Sequence, residues 1–281
     1  MKVYFDNPTN SIAIDRVVLN LERYMPEGSA RVPDKEAADL VILHVYGRRD
    51  HVAREAQSIL EQGKQYAIVQ YAMKSTRNPN PNDWMPTWNY AKVVWSYYDL
   101  PTPNLYLAPL AADPKTFFPV EAEKDFLVGT LGAKTCYGAE CFGEVHLAAY
   151  QVRGKVVHVG EKPNENPIVT YYSYISDEEL RLVYNKCNWF SALRRKEGFE
   201  MTAIEALLCG TRPIMFASPD YVRWFNGLAK FIPETTVSKT VKCLRDILGG
   251  EDCPVTKDEI EETKRRFNWE RIIKGFWERI T

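Results

Sequence analysis

Residues 188–217 read NWFSALRRKEGFEMTAIEALLCGTRPIMFA, and this stretch decides the predicted fold. An apolar run at 188–193 predicts a strand, a glycine-containing turn follows, and an apolar helical run leads to a second strand at 212–217. The stretch is therefore a predicted βαβ unit that carries two carboxylates, Glu197 and Glu205, at its turn and in its helix. In open α/β sheets, ligands bind at such junctions beside the carboxyl ends of strands. The free N–H groups and positive dipole end of the helix start suit a phosphate.

The rest of the chain repeats this alternation of strands and helices. Further strands are predicted at residues 3–6, 40–45, 66–71, 93–97, 105–110, 126–130 and 156–160. Helices are predicted at 14–25, 51–62 and 144–151, after the capping-box residue Ser176, and in a long tail, 257–281, broken near Asn268. Alternating elements of this kind predict a parallel sheet with helices on both faces.

The fold class is accordingly α/β, with two Rossmann-like lobes and a cleft between them. The segment 113–119, Asp-Pro-Lys-Thr-Phe-Phe-Pro, is predicted to link the lobes and to allow them to close. The predicted domains are a first lobe at 1–119, a second lobe at 120–261, and a C-terminal helix at 262–281 that crosses back to the first lobe.

Composition narrows the class of protein further. A length of 281 residues favours about two domains. A net charge of −1 disfavours a strongly basic nucleic-acid-binding domain. Apolar runs are shorter than the roughly 18 residues that a membrane span needs, and the six cysteines contain no CxxC pair. We therefore expect a cytoplasmic protein with free, mostly buried thiols.

Four landmarks, in order along the chain, resemble the retaining GT-B glycosyltransferases of family 4. They are the strand 38–44 ending in His44, the segment 108–119, the Glu-x7-Glu motif from Glu197 to Glu205 with its continuation to Ile214, and the sequence Phe-Asn-Trp-Glu at 267–270. The resemblance implies metal-independent transfer of a sugar from a nucleotide-sugar donor, UDP- or GDP-linked, with retained anomeric configuration and no further cofactor. The resemblance extends to compact phage-type glycosyltransferases that glycosylate DNA bases.

The resemblance also implies roles for individual residues. Glu197 aligns with the glutamate that contacts the donor sugar, and Glu205 aligns with the one that binds the ribose hydroxyls. His44 aligns with a histidine of the first lobe beside the transferred sugar, so the expected catalytic residues are Glu197 and His44. The expected backbone donors to the diphosphate and sugar lie at the start of the motif helix: Gly198, Phe199, Glu200, Met201 and Thr202.

The chain departs from the family in the loop after the first strand of the second lobe. Thr130 and Tyr137 stand where the family has an arginine and a lysine that pair with the diphosphate. Gly132 and Lys134 of that loop are still candidate donor-binding residues. The three cations immediately before Glu197, namely Arg194, Arg195 and Lys196, are further candidates to replace the missing charge.

The acceptor is the least determined part. A polar segment at 74–88 carries Trp84 and Trp88, which could stack on a sugar or a base, and Arg48 and Arg49 lie close after His44. Residues 1–119 contain equal numbers of basic and acidic residues. We therefore place a saccharide or other small acceptor ahead of a nucleic acid. A sugar-nucleotide epimerase and a non-catalytic nucleotide-binding module remain the alternatives.

Overall fold

The computed structural model describes residues 1–7, 12–46, 49–72, 81–132, 140–161, 166–195 and 199–281. These residues form two compact units. The first unit comprises residues 1–110, 197–199 and 268–281, and the second comprises 111–196 and 200–267. The division falls at residue 110, before the predicted linker, so residues 113–119 belong wholly to the second unit.

The first unit is built on a six-stranded parallel sheet with the order β2-β1-β3-β4-β5-β6. Its strands are β1 (Lys2–Asp6), β2 (Ala30–Arg31), β3 (Leu40–Tyr46), β4 (Gln65–Ala72), β5 (Val94–Ser96) and β6 (Leu105–Leu107). The helices are α1 (Ile12–Arg23), α2 (Arg49–Glu61) and α3 (Met85–Asn89), with short 3-10 turns at Lys35–Ala37 and Pro81–Trp84. The central strands β3 and β4 are apolar along nearly their whole length because both faces of a parallel sheet are covered.

The second unit is a six-stranded parallel sheet with the order β12-β11-β10-β7-β8-β9. Its strands are β7 (Phe126–Leu131), β8 (Val156–Val159), β9 (Val169–Tyr172), β10 (Cys187–Ser191), β11 (Arg212–Phe216) and β12 (Lys230–Ile232). Numbered within this unit, the order is 3-2-1-4-5-6, which is that of the dinucleotide-binding Rossmann fold.

Helices cover both faces of the second sheet. They are α4 (Phe142–Gln151), α5 (Asp177–Asn185), α6 (Met201–Leu208), α7 (Pro219–Phe225), α8 (Val237–Leu248) and α9 (Lys257–Arg266). Trp189 of β10 packs with α4 and α8, whereas the next residue, Phe190, lies 5.0 Å from the ring of Tyr184 in α5. Successive side chains of a strand point to opposite faces, so both faces are buried.

The C-terminal helix α10 (Trp269–Trp277) belongs to the first unit. Asn268 caps it by accepting a hydrogen bond from the Arg271 N–H, which explains the predicted break in the tail. The Trp277 indole donates to the Leu21 carbonyl at 3.1 Å, and Tyr106 donates to the Ile272 carbonyl at 2.8 Å. The tail thus completes the core of the unit in which the chain began.

The predicted linker is packed against α5 rather than extended. Phe117 is buried, Arg181 donates to the Thr116 carbonyl at 3.1 Å, and the Asn185 amide bonds to both Phe118 and Val120. Among the described residues, no helix is both long enough and apolar enough to span a membrane.

Candidate functional site

The site in the second unit lies where its strand order reverses. The chain runs from β7 outward to β8 and β9, then returns to β10 on the other side of β7 and continues to β11 and β12. The crevice beyond the carboxyl ends of β7 and β10 is therefore the ligand-binding position of this sheet type. Gly132 directly follows β7, and Arg194 lies in the segment that follows β10. The fold thus brings two of the predicted donor-binding residues to the switch point.

Arg194 is held between two buried carboxylates. One of its terminal nitrogens, Nη2, forms a short ion pair with Glu140, and its Nε lies 2.7 Å from Oε1 of Glu200. Glu140 is 6% exposed and Glu200 is 4% exposed, whereas 23% of the Arg194 side chain is exposed. Burial raises the pKa of Glu200 to about 7, with Arg194 opposing the shift and Glu140 adding to it. Burial likewise raises the pKa of Glu140, against the opposing charge of Arg194.

Arg195 turns to a different set of partners. It donates to the Thr235 carbonyl at 3.0 Å and to Oε1 of Glu144 at 3.2 Å, and its guanidinium lies 5.1 Å from the ring centroid of Phe216. Arg194 and Arg195, which were equivalent candidates in the sequence, therefore have distinct environments. Arg195 connects α4 to the segment before α8, while Arg194 faces the switch point.

The start of α6 is formed by the second half of the Glu-x7-Glu motif. Glu200 is the N-terminal cap position of α6, and its carboxylate accepts a hydrogen bond from the Thr202 hydroxyl at 3.3 Å. Met201 is buried. Phe199 belongs to the first unit, and its ring centroid lies 5.0 Å from that of Tyr97 in the same unit. The predicted site residues Lys196, Glu197 and Gly198, together with Lys134 and Arg48, lie outside the described residues.

Glu205 is buried within α6 at 2% exposure. Its Oε2 accepts a hydrogen bond from the Tyr184 hydroxyl at 2.8 Å, which links α6 to α5. A carboxylate in such an apolar helix needs a partner of this kind. The structure therefore shows a protein partner for the residue predicted to bind ribose.

His44 occupies the corresponding position in the first sheet. The order β2-β1-β3 places that sheet's switch point between β1 and β3, and His44 lies in the carboxyl half of β3. Its Nδ1 is 2.9 Å from the Tyr71 hydroxyl, and the two rings stack at 5.9 Å. Its Nε2 is buried and has no hydrogen-bond partner among the described residues. Burial lowers the pKa of His44 to about 3, so the ring is neutral at pH 7.

The prediction that Trp84 and Trp88 contact an acceptor is corrected by their burial. The two indoles are 1% and 0% exposed and stack on each other at 6.1 Å in the core beneath α2 and β4. The Trp88 N–H donates to the Gln70 side chain at 3.2 Å. The two indoles are packed among the apolar side chains of this core, so these tryptophans stabilise the first unit. Arg49, the remaining acceptor candidate in the described part, forms ion pairs with Asp50 and Asp83.

Glu140 and Tyr184 are the site residues that the sequence interpretation missed. Glu140 lies just before α4, and Tyr184 lies on the apolar stripe of α5, where a tyrosine is ordinarily only a packing residue. A signal was present at Glu140, because it is a carboxylate beside an apolar helix at the carboxyl side of a buried strand. Thr130, which stands where the resemblance predicts an arginine, is buried with its hydroxyl 2.8 Å from Nδ1 of His158. Within the described ranges, no three His, Cys, Asp or Glu side chains are grouped as a metal site would require.

Comparison with known proteins supports the fold. No protein-family model and no curated protein matches the chain. Among solved structures, sucrose-phosphate synthase from Thermosynechococcus elongatus is 17% identical, with a TM-score of 0.67 over 87% of this chain and 73% of that one. The Anabaena protein Alr3699/HepE, solved with UDP, is 10% identical, with a TM-score of 0.73 over 100% of this chain and 99% of that one.

A third solved structure is similar over the whole chain. The apo form of the lipopolysaccharide outer core galactosyltransferase WaaB is 14% identical, with a TM-score of 0.66 over 100% of this chain and 99% of that one. Identities this low show the fold alone. The chain has the two-unit α/β fold of the GT-B glycosyltransferases, and the expected fold class is confirmed.

Proposed function

We propose that the protein is a retaining, metal-independent glycosyltransferase that uses a nucleotide-sugar donor, UDP-linked in the first instance. The observation that carries the proposal is the switch point of the second sheet, where an oriented arginine, a glycine after β7 and the start of α6 come together. These are groups suited to a diphosphate. Alr3699/HepE, which has a similar fold, was solved in complex with UDP, and this supports UDP as the nucleotide of the proposed donor.

The proposed roles follow from the chemistry of each residue. Arg194 and the N–H groups at the start of α6 bind the diphosphate, whose negative charge grows as it leaves the sugar. Glu197 binds the sugar hydroxyls and Glu205 the ribose, because ionised carboxylates only accept hydrogen bonds. Neutral His44, with its unpaired Nε2, is the proposed contact of the first unit with the transferred sugar.

The acceptor is proposed to be a saccharide or another small molecule. Residues 1–119 contain equal numbers of basic and acidic residues, whereas a nucleic-acid-binding domain is ordinarily basic. The solved structures of similar fold include a lipopolysaccharide outer core galactosyltransferase and an O-GlcNAc transferase, and this likeness fixes no acceptor for this chain.

A two-step experiment tests the proposal. Thermal-shift assays with UDP-, GDP- and ADP-sugars identify the donor, because a ligand that binds only the folded state raises Tm. NMR then follows the best donor with and without saccharide acceptors. Transfer to an acceptor supports the proposal if the anomeric proton of the product reports the same configuration as that of the donor. Conversion of the donor alone indicates an epimerase, and tight binding without turnover indicates a binding module.

A further inference from the structure

The cluster of Glu140, Arg194 and Glu200 has more negative than positive groups. Two buried carboxylates face one guanidinium, so the fully ionised cluster carries a net charge of −1. Around it, the Thr202 hydroxyl donates to Glu200, and the Tyr221 hydroxyl in α7 is a further titratable group near Arg194. Neighbouring Arg195 adds no hydrogen bond to either carboxylate in the described part of the chain, since its partners are Glu144, Glu234, Thr235 and Thr240. A buried excess charge is costly unless it is neutralised.

Arg194 keeps hydrogen-bonding capacity for a ligand. A guanidinium has five N–H donors in a fixed plane, and the two carboxylates engage its Nε and Nη2. Its third nitrogen, Nη1, has no hydrogen-bond partner among the described residues, and the side chain is 23% exposed. The carboxylates therefore fix the plane of the guanidinium and leave one edge available at the switch point of the sheet.

We propose that Glu140 and Glu200 position Arg194 for the donor diphosphate, and that Glu200 takes up one proton from solvent when the diphosphate binds. The inference rests on the proposed function, because it presumes a nucleotide sugar at this switch point. A diphosphate brings further negative charge to a cluster that already has an excess. Arg194 cannot fully neutralise two carboxylates and a diphosphate at once, so the ionised form of Glu200 is disfavoured in the complex. The neutral acid still accepts from Thr202 and remains in contact with Arg194.

Geometry is the first reason to assign the proton to Glu200 rather than to Glu140. Glu200 lies at the cap position of α6, the helix whose N–H groups face the proposed phosphate, and its Oε1 makes no well-aligned hydrogen bond despite lying 2.7 Å from Arg194. Glu140 forms the shorter, better aligned ion pair. The pKa of Glu200, which burial raises to about 7, supports the same choice because such a group changes its charge near neutral pH.

Binding linked to proton uptake predicts a specific pH dependence. If the complex holds Glu200 protonated and the free protein has a pKa of about 7, the affinity weakens about tenfold between pH 6 and pH 8. At pH 7.5, binding should take up between about half a proton and one proton. UDP-glucose is the probe, because its diphosphate is a diester that does not titrate in this range, whereas the terminal phosphate of UDP does.

The experiment is calorimetry of UDP-glucose binding at several pH values, in buffers that differ in ionisation enthalpy. The wild type should show the proton uptake and the tenfold change. Glu200→Gln should abolish both and bind about as tightly at pH 8 as at pH 6. Glu140→Gln removes one negative charge, so the midpoint of its pH dependence should move below that of the wild type. Glu144→Gln, a buried carboxylate paired with Arg195, is the matched control and should behave as the wild type.

The outcomes separate the inference from the proposed function. Wild-type binding without proton uptake and with a flat pH profile overturns the inference and leaves the proposed function standing, and so does an unchanged pH dependence in Glu200→Gln. If UDP-glucose, GDP-glucose and ADP-glucose all fail to bind at any pH, the proposed function and the inference fall together. If Glu200→Gln does not fold, the proton uptake and the pH dependence of affinity in the wild type and in Glu144→Gln still decide the question.

Discussion

His44 and Arg194 lie at corresponding places in two sheets of related topology, yet their environments have opposite electrostatic character. His44 lies in β3 beside Tyr71 and Phe5, neutral and with one unpaired ring nitrogen. Arg194 follows β10 and faces two buried carboxylates. The comparison shows that a switch point supplies only a place for a ligand, while the side chains at the strand ends decide its chemistry. A neutral nitrogen suits a hydroxyl, and an oriented guanidinium suits a phosphate.

The largest expected effect comes from removing the charge at the second switch point. Arg194→Met leaves Glu140 and Glu200 buried without their cation, and we expect a loss of about 3–5 kcal/mol in the free energy of unfolding at pH 8. Urea denaturation measures it. The loss should shrink at pH 5, where both carboxyls can take up protons. A loss below about 1 kcal/mol at pH 8 would mean that the ion pairs do not form in solution.

At the first switch point we expect stability to fall with acid. The folded-state pKa of His44 is lowered to about 3 by burial, while the unfolded chain titrates near the usual value of 6.5. The unfolded state therefore binds more protons as the pH drops from 6.5 towards 3, and this residue alone costs on the order of 1 kcal/mol per pH unit. Urea denaturation at pH 7, 6 and 5 measures the slope. His44→Gln should flatten it, and an identical slope in the variant would contradict the assignment.

Glu200 should give a slope of the opposite sign in a pH window that overlaps the one of His44 and extends to higher pH. Its folded-state pKa is raised to about 7 by burial, so its contribution to stability is fully present below about 4.5 and is lost as the pH rises through 7. Glu200→Gln should gain stability relative to the wild type between pH 5 and pH 8, by on the order of 1–3 kcal/mol. Thermal unfolding of both proteins across that range tests the sign, with Glu144→Gln as the control for a buried glutamate.

The last prediction concerns Glu205. Tyr184→Phe removes one hydrogen bond to this carboxylate, so we expect a loss of about 1–3 kcal/mol in stability. If Glu205 also binds ribose, Glu205→Gln weakens nucleotide affinity while Tyr184→Phe changes it much less. Calorimetry with UDP compares the two variants. An unchanged nucleotide affinity in Glu205→Gln would assign Glu205 to packing alone.

Much of the fold could be predicted because local patterns were strong. Continuous apolar runs marked the buried strands, and the capping box at Ser176 marked the start of α5. Three short edge strands, β2, β9 and β12, were missed, since two to four residues carry too little periodicity to detect. The tryptophans at 84 and 88 were misassigned for a related reason. Their segment is rich in polar residues, and only packing against α2 and β4 shows that the two rings are buried.

The amino-acid sequence by itself determined the two sets of alternating strands and helices, the Glu-x7-Glu motif and the break before α10. These features depend on residue spacing or on a local helix cap, and both kinds of signal can be read directly from the sequence. Only the tertiary structure decided that Arg194 meets Glu140 and Glu200, that Arg195 meets Glu144, and that Tyr184 meets Glu205. Strand order creates these contacts by bringing β7 beside β10, and residues 54 positions apart become ion-pair partners with no local signal of their pairing.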